Sequence, residues 1–416
     1  MKGVRLLFAS ERRLLWACLA AMGLCHPASA QLKWGLSATG QYEHNSNVFN
    51  LESGGNNVGN VNGAPIGTVG TPSDSYYAYG AGFDLSYKYS RQELYLTGST
   101  KEYDYQRFTD LNHNDYNLDG GWRWAIGSRF DGRFDVARQH SMVPFFDLGQ
   151  TILSLQTMQT ETAEAGWRLN SDWRLEGKAI YDTLDQPIIG APDLQLKEKT
   201  GQAAVKYTGL VGFTAGLDAR YRSGDYGHSG GPQNPSYHES MAGLTASYKL
   251  TGRTTFDGEV GYSKRSSSFG NDNQNGLTGH LKFKDQLTHK TSFSIGVSRE
   301  LVNYVANAGS ETDTGVNANV SWQATHRVAI EAGYIWTLRD YPRQGNNPPG
   351  SDRVDHQRSF TVAADYLALR WLTIKPYANI LKRSSDFIGG DFDSTIFGVQ
   401  LVASFGSEGH AAPAPR

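Results

Sequence analysis

Cysteine is nearly absent from this chain: there are two, Cys18 and Cys25, and none after them in 416 residues. A disulfide framework is therefore excluded for everything downstream. No apolar run reaches the roughly 20 residues that a membrane-crossing helix needs. Charge of one sign is lacking too, with 39 Lys+Arg against 41 Asp+Glu, so the basic footprint of a nucleic-acid binder is missing. The 11 His form no metal-ligand spacing, and no phosphate loop or dinucleotide fingerprint follows a strand–helix pattern. No metal or other cofactor is expected. What is abundant is glycine (47) and tyrosine (22).

The first thirty residues read as a leader rather than as part of a fold. Lys2, Arg5, Arg12 and Arg13 make a positive start, Leu14 to Leu24 a short apolar core, and Ala28-Ser29-Ala30 a small-residue cleavage site before Gln31. Both cysteines fall inside this segment, and neither sits in a good lipoprotein box. Without it, 35 basic residues face 40 acidic ones.

From Trp34 onward apolar and polar residues alternate in segments separated by turn-rich breaks, the repeated signature of membrane strands. Tyr77, Tyr79, Ala81, Phe83, Leu85 and Tyr87 form one row, Gly80, Gly82, Asp84, Ser86 and Lys88 the other. Such segments fall at 34–48, 76–89, 92–106, 114–126, 129–140, 156–169, 173–183, 197–208, 211–223, 237–250, 253–265, 276–285, 291–302, 313–324, 327–339, 355–366, 371–383 and 394–405. The breaks alternate in length. Short ones lie near Arg91, Gly127-Ser128, Asn170 to Asp172, Gly209-Leu210, Thr251-Gly252, Gln286 to Lys290, Thr325-His326 and Leu367 to Arg370. An even strand number, short periplasmic turns and longer outer loops describe a bacterial outer-membrane barrel. The expected fold is all-β, a transmembrane antiparallel β-barrel of sixteen to eighteen strands over residues 31–405, with 406–416 a short periplasmic tail. The implied location is the Gram-negative outer membrane.

Aromatics support the same reading. Tyr87, Trp124, Phe130, Trp167, Trp173, Tyr207, Phe213, Tyr248, Phe256, Phe283, Phe293, Trp322, Tyr366 and Trp371 cluster near the short turns, where an interfacial girdle belongs. Two places fit poorly. In the third strand Leu94 and Leu96 occupy one parity and Tyr103 and Tyr105 the other, which calls for a bulge or a misdrawn strand. Pro376 falls mid-strand and calls for a bulge or a missing ladder bond.

A barrel of this size has an aqueous lumen unless something fills it, and no separate plug segment is evident. The pore-lining candidates are Asp119, Arg123, Arg129, Asp131, Arg133, Asp135, Glu164, Arg168, Arg174, Glu176, Lys178, Asp218, Arg220 and Arg222. They are either mutually paired wall residues or a ladder of hydrogen-bonding groups for a polyhydroxylated chain. The loop Ser141 to Ser154 contains Met142-Val143-Pro144-Phe145-Phe146-Asp147-Leu148, too apolar for free solvation. It either folds into the lumen, where Phe145, Phe146 and Asp147 would form a constriction with flat faces for sugar rings, or packs on the rim or on a neighbouring protomer. Gly227-His228-Ser229-Gly230-Gly231 matches a serine-hydrolase pattern but lacks the strand-to-helix elbow that chemistry needs, so no enzyme is expected. Asn112 to Asp115 and Asn271 to Asn273 resemble no calcium loop and read as solvated loop residues.

The opening Gln41-Tyr42-Glu43-His44-Asn45-Ser46-Asn47-Val48-Phe49 resembles the signature that begins a family of outer-membrane β-barrels found in exopolysaccharide loci. Later features resemble its exosortase-associated, EpsL-type members: Asp115-Tyr116-Asn117 with Trp122-Arg123-Trp124, then Pro144-Phe145-Phe146-Asp147, then Gly166-Trp167-Arg168 with Trp173-Arg174-Leu175. That resemblance implies a role in polysaccharide biosynthesis or export, with no catalytic residues to transfer. The expected function is a pore for a secreted polysaccharide, working within outer-membrane lipid and with periplasmic and inner-membrane export components. The alternatives are a diffusion porin for small solutes and a non-conducting scaffold or adhesin built on the loop Asn50 to Ser75. Oligomeric state is left open.

Overall fold

The computed structural model describes residues 30–52, 59–61, 64–66, 73–148, 151–187, 193–227, 236–268, 273–304, 309–341, 353–386 and 390–407. The leader up to Ser29, most of the first loop, Ser229 and its neighbours, Asn271, Asp272 and the tail from 408 lie outside the described residues.

The period-two segments form eighteen long strands: β1 Ala30–Asn45, β2 Asp74–Tyr89, β3 Gln92–Tyr105, β4 His113–Ile126, β5 Phe130–Met142, β6 Leu155–Arg168, β7 Trp173–Gln186, β8 Leu194–Leu210 and β9 Phe213–Gly227 in the first half. The second half holds β10 Ser236–Lys249, β11 Thr254–Ser267, β12 Gln274–Asp285, β13 Thr291–Tyr304, β14 Gly309–Gln323, β15 Val328–Tyr341, β16 Arg353–Leu369, β17 Leu372–Ser385 and β18 Phe392–Gly406. Each pairs antiparallel with its sequence neighbours, and β1 closes the ring by pairing with both β2 and β18, from Gly35↔Gly406 to Asn45↔Ile396. Closure gives every strand a partner on both sides, the condition for strands to cross hydrocarbon. No helix among the described residues is long and apolar enough to cross a membrane.

The two rows of each strand face opposite media. Tyr77, Tyr79 and Leu85 stand 55%, 55% and 42% exposed on the outside while their neighbours Tyr76 and Ala78 are buried inside. An exterior of Leu, Val, Phe and Tyr on every strand would be untenable in water and is what a lipid-facing band requires. Near the short turns the aromatics touch their cross-strand partners: Phe130 and Trp167 stack at 5.9 Å, Trp173 meets Tyr207 at 5.2 Å, and Phe256 meets Phe283 at 4.8 Å. These rings form the girdle on one rim. The structure is an outer-membrane-type β-barrel.

Two local expectations change, and a third is resolved between its two alternatives. The third strand carries no bulge: β2 and β3 run in unbroken register from Tyr76↔Tyr105 to Tyr89↔Gln92. Tyr103 and Tyr105 simply face inward, where an aromatic cluster receives them. The turn placed at Gly209-Leu210 sits at Val211-Gly212 instead, because Gly212 supplies the left-handed φ of +73° that a two-residue connection needs. An irregularity between Tyr207 and Leu210 absorbs the difference. At Pro376 the ladder with β16 is interrupted between Ala363↔Tyr377 and Tyr366↔Ile374 and resumes in the same register. A missing bond, not a bulge, accommodates the proline.

The inside–outside assignment is testable on neighbouring positions of β9. Leu217, 64% exposed on the lipid side, lies near mid-band, so Leu217→Arg lowers stability by about 2–4 kcal/mol in a bilayer. Thr214→Arg, on the lumen side, changes it far less. Denaturant titration of the two variants in lipid vesicles measures the contrast.

Candidate functional site

Most of the polar candidates stand on the inner wall, and they are joined to one another. Arg174 on β7 grips Asp131 on β5 with two bonds of 2.7 and 2.6 Å and donates to Glu176 at 2.7 Å, while Lys206 meets Glu176 at 2.5 Å. Arg133 lies 3.1 Å from Glu164 and 3.4 Å from Asp135, whose other partner is the Tyr95 hydroxyl. Arg123 pairs with Glu93 at 3.4 Å and covers the Tyr95 ring. On β9, Asp218 accepts from Gln202 at 3.4 Å, Arg220 faces Glu259 at 3.8 Å, and Arg222 reaches Glu198 at 3.2 Å. Asp119 and Lys178 share the inward parity of these rows. Arg168 stands at the rim and donates to the Ser128 carbonyl at 3.5 Å. Arg129 is not on the wall: it is an exposed residue of the turn between β4 and β5.

The outer mouth is filled from one side by the chain itself. After β1 the backbone turns on Asn47, which is fully buried and uses its whole amide: Nδ2 donates to the carbonyls of Leu51 and Asp393, and Oδ1 accepts from Leu51 N. Val48 and Phe49 are thereby set into the barrel. Asp74 holds the β3–β4 connection by accepting from the backbone N–H groups of Arg107 and Phe108 at 3.0 and 2.9 Å. Val48, Phe49, Tyr76, Ala78, Tyr105, Leu111 and Phe145 then pack as one buried cluster. Asn112 and His113, expected to be solvated, belong to this arrangement: Asn112 accepts from Tyr105 N at 2.8 Å, and the buried His113 stacks on Tyr103 at 4.6 Å.

The apolar loop between β5 and β6 carries a one-turn helix, α1, Phe145–Leu148. It folds inward and reaches the far wall. Asp147 accepts from Arg339 at 3.0 Å, and Arg383 donates to the Phe146 carbonyl at 3.3 Å. Arg339 stands on β15, nine strands from β6 in a ring of eighteen, which is the opposite side. The two phenylalanines have different surroundings. Phe145 is 3% exposed within the aromatic cluster and offers no free face. Phe146 is half-buried, stacked on Phe392 at 5.8 Å and flanked by the guanidiniums of Arg339 and Arg383.

Beneath these loops lies a cavity of about 930 Å³ whose lining includes Gln41, Glu43, Lys101, Lys284, Asn319, Glu331, Lys375, Tyr377 and Gln400. Gln41 links several of these residues, donating to Tyr377 Oη and Glu43 and accepting from Lys101 Nζ at 2.5 Å. Few of these residues stand out in the sequence. Their only signal was membership of the polar row, since their neighbours come from strands far apart in the chain.

No family model matches the chain, and no curated protein does. Among solved structures, the siderophore receptor PirA of Pseudomonas aeruginosa aligns over 92% of this chain and 81% of its own, at 10% identity and a TM-score of 0.46. The FrpB iron transporter of Neisseria meningitidis aligns over 88% and 63%, at 10% and 0.49. The ferric enterobactin receptor PfeA of the same Pseudomonas species aligns over 91% and 82%, at 7% and 0.47. These are likenesses at the level of the barrel.

The α1 contact has a defined pH dependence. Burial raises the Asp147 pKa above the ordinary carboxylate value, against the opposing pull of Arg339 and Arg383. A carboxyl whose pKa is higher docked than undocked takes up a proton on docking, so docking strengthens as pH falls from the raised value towards about 4. Amide protection factors at residues 145–148 are expected to rise over that window, and Asp147→Asn to remove the change. Weakening protection on acidification would contradict this balance.

Proposed function

We propose that this outer-membrane-type barrel is a pore through which a secreted polysaccharide crosses the membrane, with α1 as the constriction. The observation that carries the reading is the loop itself: an apolar segment placed across the lumen, between a polar cavity and the outer mouth. Amides, hydroxyls and charges of both signs suit a polyhydroxylated chain, because each contact is weak enough to be exchanged for the next. Phe146, half-buried where Phe145 is enclosed, is the ring a sugar could reach by displacing one of its present neighbours. The family resemblance of the Asn45-Ser46-Asn47-Val48-Phe49 segment supports the same substrate class, and periplasmic and inner-membrane export components are the partners it implies.

A second reading, a diffusion porin for small solutes, draws on a specific feature of the wall. The series Asp131–Arg174–Glu176–Lys206 is satisfied within itself, so these charges serve barrel shape and leave no unused ladder for a chain. Catalysis is not part of either reading, and Ser229→Ala is expected to leave function unchanged.

Planar-bilayer conductance separates these possibilities. The purified barrel is expected to conduct, to be blocked by the producing cell's own polysaccharide, and to conduct several-fold more after deletion of Met142 to Leu148. An open channel that polysaccharide never blocks favours the porin. Unchanged conductance in the deletion variant removes α1 as the constriction, and a barrel that never conducts removes both transport readings.

A further inference from the structure

Among the described residues, one seam of the barrel wall does not run its full height. Elsewhere neighbouring strands pair over most of their length, but β12 and β13 pair only from Asp285↔Phe293 to Gly279↔Arg299. Beyond that point Gln274–Thr278 of β12 remain paired with β11, and Glu300–Tyr304 of β13 with β14. The two segments are not paired with each other. Seven residues at about 3.4 Å each, on strands tilted by about 40°, rise roughly 18 Å, short of an apolar band about 25 Å tall. The seam therefore parts inside the outer half of the band, where unpaired backbone is costly.

The seam parts because the β13–β14 hairpin leans into the lumen. Its lipid-parity side chains lie against the inner wall: Asn303 donates to Glu198 on β8 and to the Tyr237 hydroxyl on β10, both at 2.9 Å, and accepts from Arg265 at 2.7 Å. Ser310 and Thr312 likewise meet Gln274, an inward residue of β12, at 2.7 and 3.1 Å. Arg265 is 1% exposed and lies 3.6 Å from the centre of the Tyr237 ring. At Gly279, the last β12 residue paired with β13, φ is +151° and an added Cβ would lie 2.1 Å from the Glu259 carbonyl oxygen, so no side chain fits there.

Continuing the observed register past Gly279↔Arg299 pairs Thr278 with Glu300, Leu277 with Leu301, Gly276 with Val302, Asn275 with Asn303 and Gln274 with Tyr304. Both segments lie within the described parts of β12 and β13. Leu277 and Leu301 would then share the lipid face. Two segments whose register matches but which are held apart can serve as a two-position element. Building on the pore reading, we infer that the β13–β14 hairpin is a second gate: it closes the mouth by leaning on Glu198, Tyr237 and Arg265, and opens by swinging outward so that the β12–β13 seam zips to its full height. Opening exchanges the Asn303 contacts for ladder bonds, and the chain passing through the lumen would bias it by displacing Asn303 from Glu198.

Two disulfide locks test this in a Cys18→Ser/Cys25→Ser background, assayed in lipid bilayers. Asn275→Cys with Asn303→Cys can join only in the zipped position, since Asn275 now faces the Tyr262 hydroxyl on the outer face and Asn303 faces the lumen. Glu198→Cys with Asn303→Cys joins in the leaning position. The expected result is that oxidant forms both disulfides, the first raising conductance several-fold and the second holding it at or below the reduced level, each reversed by reductant. Free thiols at 275 and 303, under oxidant that links 198 to 303, would overturn the hinge. A 275–303 link with unchanged conductance in a conducting barrel would overturn the gate. A barrel silent in every state while the 275–303 link forms would count against the pore reading and leave the hinge standing.

Discussion

Backbone pairing is the constraint from which the rest of this structure follows. A strand in hydrocarbon has no water to satisfy its N–H and C=O groups, so the sheet must close, and here it does so through the β1–β18 ladder. Closure creates an inside and an outside on every strand at once. The alternating sequence is the response: Leu, Phe, Tyr and Val outward, charge and amide inward. The same rule accounts for the exceptions. Pro376, which has no N–H to give, sits where the ladder skips, and the parted β12–β13 seam is conspicuous as the shortest ladder between neighbouring strands of the ring among the described residues.

Closing a wide ring poses a second problem, that of filling or satisfying its interior. The lower wall solves it with side chains, linking Arg174, Asp131, Glu176 and Lys206 into a self-contained series. The outer mouth solves it with loops. Asn47 anchors the first, Asp74 the second, and the third crosses to Arg339 and Arg383, so that one aromatic cluster joins all three. The asymmetry between a polar cavity and a loop-filled mouth is what makes transport with a constriction the reading that uses most of the molecule.

Much of the fold was legible because its information is local and repeated. Period-two rows, alternating gap lengths and aromatics near short turns located all eighteen strands, and parity alone placed residues such as Arg133 and Glu164 on one face. Parity also misled. Tyr103 and Tyr105 looked out of phase only because inward positions were assumed to be polar, whereas a buried aromatic cluster waited for them. Arg129 showed how a charge one residue beyond a strand end leaves the wall for the turn. The lumen-crossing contacts were not legible at all, since Asp147 and Arg339 are 192 positions apart and nothing in either neighbourhood names the other. The Asn45-Ser46-Asn47-Val48-Phe49 segment stood out as a motif, but only its geometry reveals an anchor that sets two apolar side chains inside the barrel.

The central claim is that α1 crosses the lumen. A short bismaleimide applied to Asp147→Cys with Arg339→Cys, in a background without Cys18 and Cys25 and with the barrel at high dilution in vesicles, reports on it directly. The account predicts a single intramolecular product at high yield. Thiols that remain unlinked, or that link only between two copies of the chain, would place this loop on the rim or on a neighbour and contradict it.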